Sequence, residues 1–315
     1  MIKIGIVCIC LNPSYWPYIS EMLWGLDTFF LKHPDIKDKY EIEFLVWSDI
    51  PEEPETIRQR MAEYLAQRGE ARVSVINSKD VHILFDGNKA NELENFIQNF
   101  SHKRKSIKIF PTEPIEWPMP TLMRYHLLLQ QEEYLKKFDY IFYIDVDMRI
   151  TDWIDEEILG NLVAAQHPMY ALRQNYHPPY EPNPESSAYI PRPGRILEEN
   201  GKKRFEPLYF AGGFQGGKTE DFIKAMKVMR GRVDEDFNRN YIAIWNDETH
   251  WNKYLFENPP AVVLSPAYIY PDSLIDTYYI RVWGRNYSPK IMTLTKAFSM
   301  TTKEGKAVND LVATM

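Results

Sequence analysis

Residues 140–150 read YIFYIDVDMRI. An apolar, aromatic run leads directly into Asp145 and Asp147, one residue apart, and then Arg149. The run has the texture of a strand buried on both faces, as in a mostly parallel sheet. Where such a strand ends, the chain leaves the sheet, and both carboxylates can turn toward one point. That edge is where open α/β sheets bind ligands. Two hard oxygen donors there suit Mg²⁺ or Mn²⁺ held together with substrate phosphates. The bland alternative is a strand-end turn whose aspartates cap the next element. An aspartate-nucleophile phosphatase also ends a buried strand in D-x-D. Its usual small hydroxyl or β-branched residue two places on is replaced here by Arg149, and the pair lies mid-chain.

Outward from this strand, the N-terminal part alternates between two periodicities. Residues 2–10 (IKIGIVCIC), 41–48 and 72–77 read as strands, and 21–32 and 55–68 as helices. This β-α-β-α-β order predicts an open α/β sheet of Rossmann-like kind. Residues 80–105 read as a charged peripheral insertion with a helix over 90–100, residues 106–110 as a short strand, and residues 121–137 as one helix capped by Thr121. Beyond Asp147 the texture changes. Residues 177–194 hold six of the 22 prolines and are expected to be irregular. A glycine-rich strand follows at 208–217 (LYFAGGFQGG), then helices over 221–230 and 242–256, and a late strand in AVVLSP. With no repeat or low-complexity linker, the expectation is one domain. It comprises a nucleotide-binding half (about 1–147), a second, acceptor-side half (about 148–285) and a tail (286–315).

Composition narrows the function classes. The net charge is −7, so the chain lacks the global basic footprint of a nucleic-acid binder. Cys8 and Cys10 sit at i and i+2 on one strand, poorly placed to bond each other, which points to a reducing compartment. No stretch reaches the roughly 18 apolar residues of a membrane-spanning helix. The 20 Tyr, 16 Phe and 8 Trp can pack a core and also suit stacking on sugar rings or bases.

Taken in order, FDYIFYIDVDMRI, ESSAYIP, LYFAGGFQGG and WNDETHWNKYLFENPPAVVLSPAYIY closely resemble glycosyltransferase family six, which includes the blood-group A and B transferases and the α-1,3-galactosyltransferase. The resemblance covers about residues 107–275. It implies a GT-A fold and metal-dependent, retaining transfer of N-acetylgalactosamine or galactose from UDP-GalNAc or UDP-Gal. The implied acceptor is a galactose-terminated oligosaccharide or glycolipid, joined through an α-1,3 linkage. Asp145 and Asp147 match the family's Mn²⁺-binding pair, where many bacterial members carry asparagines. Tyr15 matches an aromatic that stacks on uracil. Arg124, seven residues after Trp117, matches a donor-contacting arginine. Glu248 matches the catalytic glutamate, and Asp247 an aspartate that bonds the donor sugar. Asn246 stands where the family usually has histidine. Trp251 replaces a common leucine and is compatible with a core position.

Ala211, Gly212 and Gly213 match donor-binding positions, and small residues at 211 and 213 leave room for an acetamido group at C2. Lys290 and Lys296 have the spacing of two basic residues in a tail that closes over the donor. The chain begins at its first strand, without the membrane anchor of mammalian members, so a cytoplasmic member of bacterial or viral type is expected. The alternatives are a relative that binds nucleotide sugars or glycans without turnover and the phosphatase-like hydrolase.

Overall fold

The computed structural model describes residues 1–11, 15–49, 71–77, 80–85, 107–115, 118–171, 178–191, 195–199, 202–206, 208–272 and 288–294. In chain order the strands are β1 (Ile2–Cys10), β2 (Tyr40–Ser48), β3 (Ala71–Asn77), β4 (Asp80–Phe85), β5 (Ile107–Pro111), β6 (Tyr140–Ile144) and β7 (Met148–Ile150). They continue as β8 (Leu162–Gln166), β9 (Arg195–Glu199), β10 (Lys202–Glu206), β11 (Phe210–Lys218), β12 (Val262–Leu264), β13 (Tyr270–Pro271) and β14 (Ile291–Thr293). The α-helices are α1 (Trp16–Thr28), α2 (Met119–Leu122), α3 (Arg124–Leu129), α4 (Glu132–Leu135), α5 (Thr219–Asn238) and α6 (Asn246–Glu257).

Seven strands form the main sheet in the order β12-β8-β11-β6-β1-β2-β5. The β1/β2, β1/β6, β2/β5 and β8/β12 pairs are parallel, while β11 runs antiparallel to both neighbours. From β1 the chain winds outward to β2 and β5, then returns to β6 on the other side of β1. The β1–β6 boundary is therefore the switch point at which open sheets bind ligands. Apolar clusters fill both faces. Ile4, Ile6, Phe142, Ile144 and Phe214 lie in one, and Val7, Leu45, Ile141, Phe222 and Trp251 in the other. Trp251 is fully buried, as its core reading requires. Cys8 and Cys10 are both free and buried.

Several expectations need correction. The segment 72–77 is a strand, but it pairs antiparallel with β4 as a separate hairpin. The third strand beside β2 is instead β5, whose Ile107–Pro111 lies level with Phe44–Ser48. Strand periodicity announces a strand and says nothing of its partner. The same hairpin takes β4 out of the charged insertion. The helices expected at 55–68 and 90–100 lie outside the described residues. The single helix expected at 121–137 is three short ones, and Thr121 lies inside the first, where its hydroxyl donates to the Pro118 carbonyl at 2.8 Å. The break falls at Met123, directly before the buried Arg124, whose tertiary partners are described below. α1 begins at Trp16, with a proline in its first turn. α5 runs on to Asn238, and α6 starts only at Asn246. β9 and β10 form a hairpin after the irregular segment 178–191.

Candidate active site

Asp145 is the first residue after β6, where the sheet's carboxyl edge meets the switch point. Its backbone amide donates to the Gly213 carbonyl at 2.9 Å, so β11 fixes where the strand ends. Its Oδ1 accepts from the Tyr143 hydroxyl at 2.6 Å and from the Arg124 guanidinium at 3.0 Å. Asp147 follows as a buried carboxylate.

Arg124 is the hub. It is 3% exposed, and its guanidinium lies over the Tyr143 ring at 3.9 Å. One nitrogen donates to the Gly212 carbonyl at 2.7 Å and lies 2.6 Å from Asp247 Oδ2. Burial alone disfavours the guanidinium charge. Asp247, Tyr143 and Asp145 more than offset that, and the Arg124 pKa is raised. An arginine suits this role because its planar fork serves several acceptors at once.

On the other side of β11, α6 presents Asp247 and Glu248 in its first turn. Glu248 Oε2 accepts the Gly212 amide at 2.8 Å. Gly212 thus gives its N–H to Glu248 and its carbonyl to Arg124. A Cβ at Gly212 would stand 3.1 Å from Glu248 Cβ and 3.3 Å from Asp247 Oδ2, so glycine permits the close approach of helix and strand. Asn252, one turn along α6, bonds the Phe210 amide and carbonyl and holds the two elements together. Burial pushes the Asp247 carboxyl up to about 7, with the Arg124 charge pulling the other way. Burial also pushes Glu248 up to about 7, opposed by its bond from the Gly212 amide. Both carboxyls therefore change charge near neutrality, as acid–base and electrostatic groups in catalytic sites do.

The predicted residues fall into two sets. Arg124, Asp145, Gly212, Gly213, Asp247 and Glu248 converge on one stretch of β11. Ala211 is buried in the apolar core. A Cβ at Gly213 would meet Met148 Cε at 2.3 Å and Asp145 Oδ2 at 2.7 Å, so this glycine also makes room for the first aspartate. Tyr15 opens α1 at the same sheet edge and packs partly buried on the core. Lys290 is not brought to this point. Its ammonium pairs with Glu157 at 2.6 Å, and its carbonyl accepts from Thr151. β14 runs antiparallel to β7, so the chain reaches Asp147 only at Leu294, four residues or roughly 13 Å further along. Lys296 lies outside the described residues. Sequence reading missed Tyr143, Gln215 and Asn252. Gln215 was the most visible of these, a lone amide in a buried glycine-rich strand. It bonds the Tyr125 hydroxyl and the Gly212 carbonyl.

A divalent cation here would take only part of its ligands from the protein. Asp145 and Asp247 contact the one guanidinium, and Glu248 lies beside them on Gly212, so carboxyl groups outnumber the cation. Among the described residues, no three His, Cys, Asp or Glu side chains converge as a complete ligand shell. Asp145 and Asp147 would supply part of one, and substrate oxygens the rest, as is common for Mg²⁺-like ions.

Fold and site together define an α/β protein with an acidic, arginine-centred site at the carboxyl edge of its sheet. The family model for glycosyltransferase family 6 matches residues 104–292, and the chain belongs to that family. Its sheet, mostly parallel and flanked by helices, is of the GT-A type. The chain is similar to histo-blood group ABO system transferase 1 of Rattus norvegicus, 30% identical over 55% of this chain and 47% of the relative. It is 31% identical to globoside alpha-1,3-N-acetylgalactosaminyltransferase 1 of Gallus gallus over 44% of this chain and 37% of the relative. The O-antigen biosynthesis glycosyltransferase WbnI of Escherichia coli is 26% identical over 62% of this chain and 75% of the relative. The chain thus spans about half the length of the rat relative or less of the avian one. Among the described residues, no helix is long and apolar enough to cross a membrane.

Proposed function

We propose that this protein transfers a hexose from a UDP-sugar to a galactose-terminated glycan with retention of configuration, and that UDP-GalNAc is its preferred donor. The observation that carries the reading is the convergence at the sheet's switch point of Arg124 and Glu248 on the Gly212 backbone and of Asp145 and Asp247 on Arg124. The chicken relative, an alpha-1,3-N-acetylgalactosaminyltransferase by name, supports the choice of donor.

In this reading the diphosphate lies at the carboxyl edge beside Asp145 and Asp147. These would hold Mn²⁺ or Mg²⁺, which when bound neutralises charge on the departing UDP. Tyr15 stacks on the uracil, and Arg124 and Asp247 orient the donor sugar. Retention requires a group on the sugar face opposite UDP. The Glu248 carboxylate takes that role, bonding C1 or stabilising its positive charge while the acceptor hydroxyl approaches from the side UDP leaves. The hydroxyl proton goes to the departing diphosphate or to solvent.

The resemblance has residues 211 and 213 facing an acetamido group, but Ala211 packs in the core and Met148 and Asp145 fill the space beside Gly213, so the donor preference rests on the N-acetylgalactosaminyltransferase relative. A well-fitted acetamido group is worth about 1–3 kcal/mol, so preference over UDP-Gal should be roughly 10–200-fold. The decisive experiment incubates the protein with UDP-GalNAc, UDP-Gal, UDP-Glc or UDP-GlcNAc, with and without Mn²⁺, using lactose as acceptor. UDP release is followed and the anomer of the product is read by NMR. An α-linked product from UDP-GalNAc supports the reading. A β-linked product, or no turnover with any donor, would sink it.

A further inference from the structure

Glu181 lies in the irregular proline-rich segment, far from the site in sequence, and is 1% exposed. No cation pairs with it among the described residues. Its carboxylate is satisfied by three donors. Oε1 accepts the Asn183 amide at 2.9 Å and the Tyr241 hydroxyl at 2.6 Å, and Oε2 accepts the Ile244 amide at 2.9 Å. A buried charge is tolerated only when bonded in this way. Two of the three bonds hold the loop that leads into α6.

That loop needs holding. Asn246, directly before Asp247, sits at φ +50°, in the left-handed region. The amides around it are each fixed: Ile244 by Glu181, Trp245 by the Thr249 hydroxyl at 2.9 Å, and Asn246 by the Ala243 carbonyl at 2.9 Å. A second buried carboxylate, Asp236 at the end of α5, bonds the Ser186 hydroxyl and the Ser187 amide and anchors the same segment. Its backbone carbonyl accepts the Tyr241 amide. The segment 181–187 and the approach to α6 are therefore one latched unit.

We infer that Glu181 is a positioning residue. It sets the direction in which α6 starts, and so where Glu248 points, and it ties that direction to the proline-rich segment. This inference rests on the proposed role of Glu248. Misplacement of a reacting group by about 1 Å can cost on the order of 10²-fold in rate. Glu181→Ala should therefore lower kcat for GalNAc transfer to lactose by roughly 10–100-fold, with UDP affinity within about twofold of wild type. Glu181→Gln can satisfy the Ile244 or the Asn183 amide but not both, and should fall between. Tyr241→Phe leaves the Ile244 bond intact and should stay within about threefold of wild type.

The measurements are kcat and KM with UDP-GalNAc and lactose, calorimetric UDP affinity, and thermal melting, with Glu248→Gln made alongside. A graded fall in kcat at unchanged UDP affinity supports the inference. If Glu181→Ala does not fold, Glu181→Gln decides by the same measure. Wild-type kcat in the folded Glu181 variants, with Glu248→Gln inactive, overturns this inference alone, as does a fall in kcat that only tracks lost UDP affinity. An active Glu248→Gln overturns the reading beneath it as well.

Discussion

Asp145 stands one residue past the central strand β6, whereas Glu248 stands on the first turn of a helix held against β11 by distant contacts. The first position follows from the sheet itself. β6 lies between β1 and β11, and any residue leaving its carboxyl end arrives at the switch point. The second depends on the latch at Glu181, the turn at Asn246, the Asn252 bridge and the absence of a side chain at Gly212. Their electrostatics differ too. Asp145 keeps a partly exposed carboxylate with 32% of its side chain accessible, bonded by Tyr143 and Arg124. Asp247 and Glu248 are pushed by burial toward neutrality. One side of the site is a partly exposed carboxylate bonded to a guanidinium, and the other is a pair of carboxyls that burial raises toward neutrality.

The largest test of that contrast is Glu248→Gln, which keeps shape and removes charge. Turnover should fall by roughly 10²–10⁴-fold, the scale of losing a central catalytic group, while UDP binding measured by calorimetry stays near wild type. A variant within about threefold of wild type would move the role to another residue.

Arg124→Met breaks the element the two sides share. It leaves Asp247 buried beside no cation, and breaking a buried pair of this kind costs about 3–5 kcal/mol of unfolding free energy. Urea denaturation measures this, and a loss below about 1 kcal/mol would mean that the pair is no stronger than a surface one.

The strand-end side is probed by Asp145→Asn and Asp147→Asn. Each should weaken UDP binding in the presence of Mn²⁺ by about 1.5–3 kcal/mol, the worth of a charge-assisted contact. Excess EDTA should abolish transfer in wild type, and full activity in EDTA would remove the metal from the reading.

The smallest expected effect concerns pH. Because burial raises Glu248 to about 7 in the folded protein, and the proposed mechanism uses its ionised form at C1, kcat should climb with pH and level off above about 7. Stability should run the other way. A carboxyl whose folded pKa is raised holds its proton longer folded than unfolded. Its contribution is present below the unfolded pKa and is lost as pH rises through about 7. The melting temperature of wild type should therefore drop more between pH 5 and pH 8 than that of Glu248→Gln. Equal drops would place the titration elsewhere.

Elements with a local cause were legible from the residues alone. The apolar run of β6, the aspartates at its end, the unalternating strand of β1 and the motifs around Gly212 and Glu248 all lie within short windows, where periodicity and side-chain chemistry suffice. The partnerships between distant residues emerged only in the folded chain. Arg124 meets Gly212 across 88 residues, and Glu181 meets Ile244 across 63. Residues 72–77 were readable as a strand, but not that β4 would be their partner and β5 the neighbour of β2. The helix expected over 121–137 is broken where Arg124 turns inward. Lys290, matched by spacing alone, lies across β14 from the place it was expected to serve. Periodicity records which face of an element is buried. It carries no record of which distant element buries it, and a buried charge finds its partners only when the chain has closed around it.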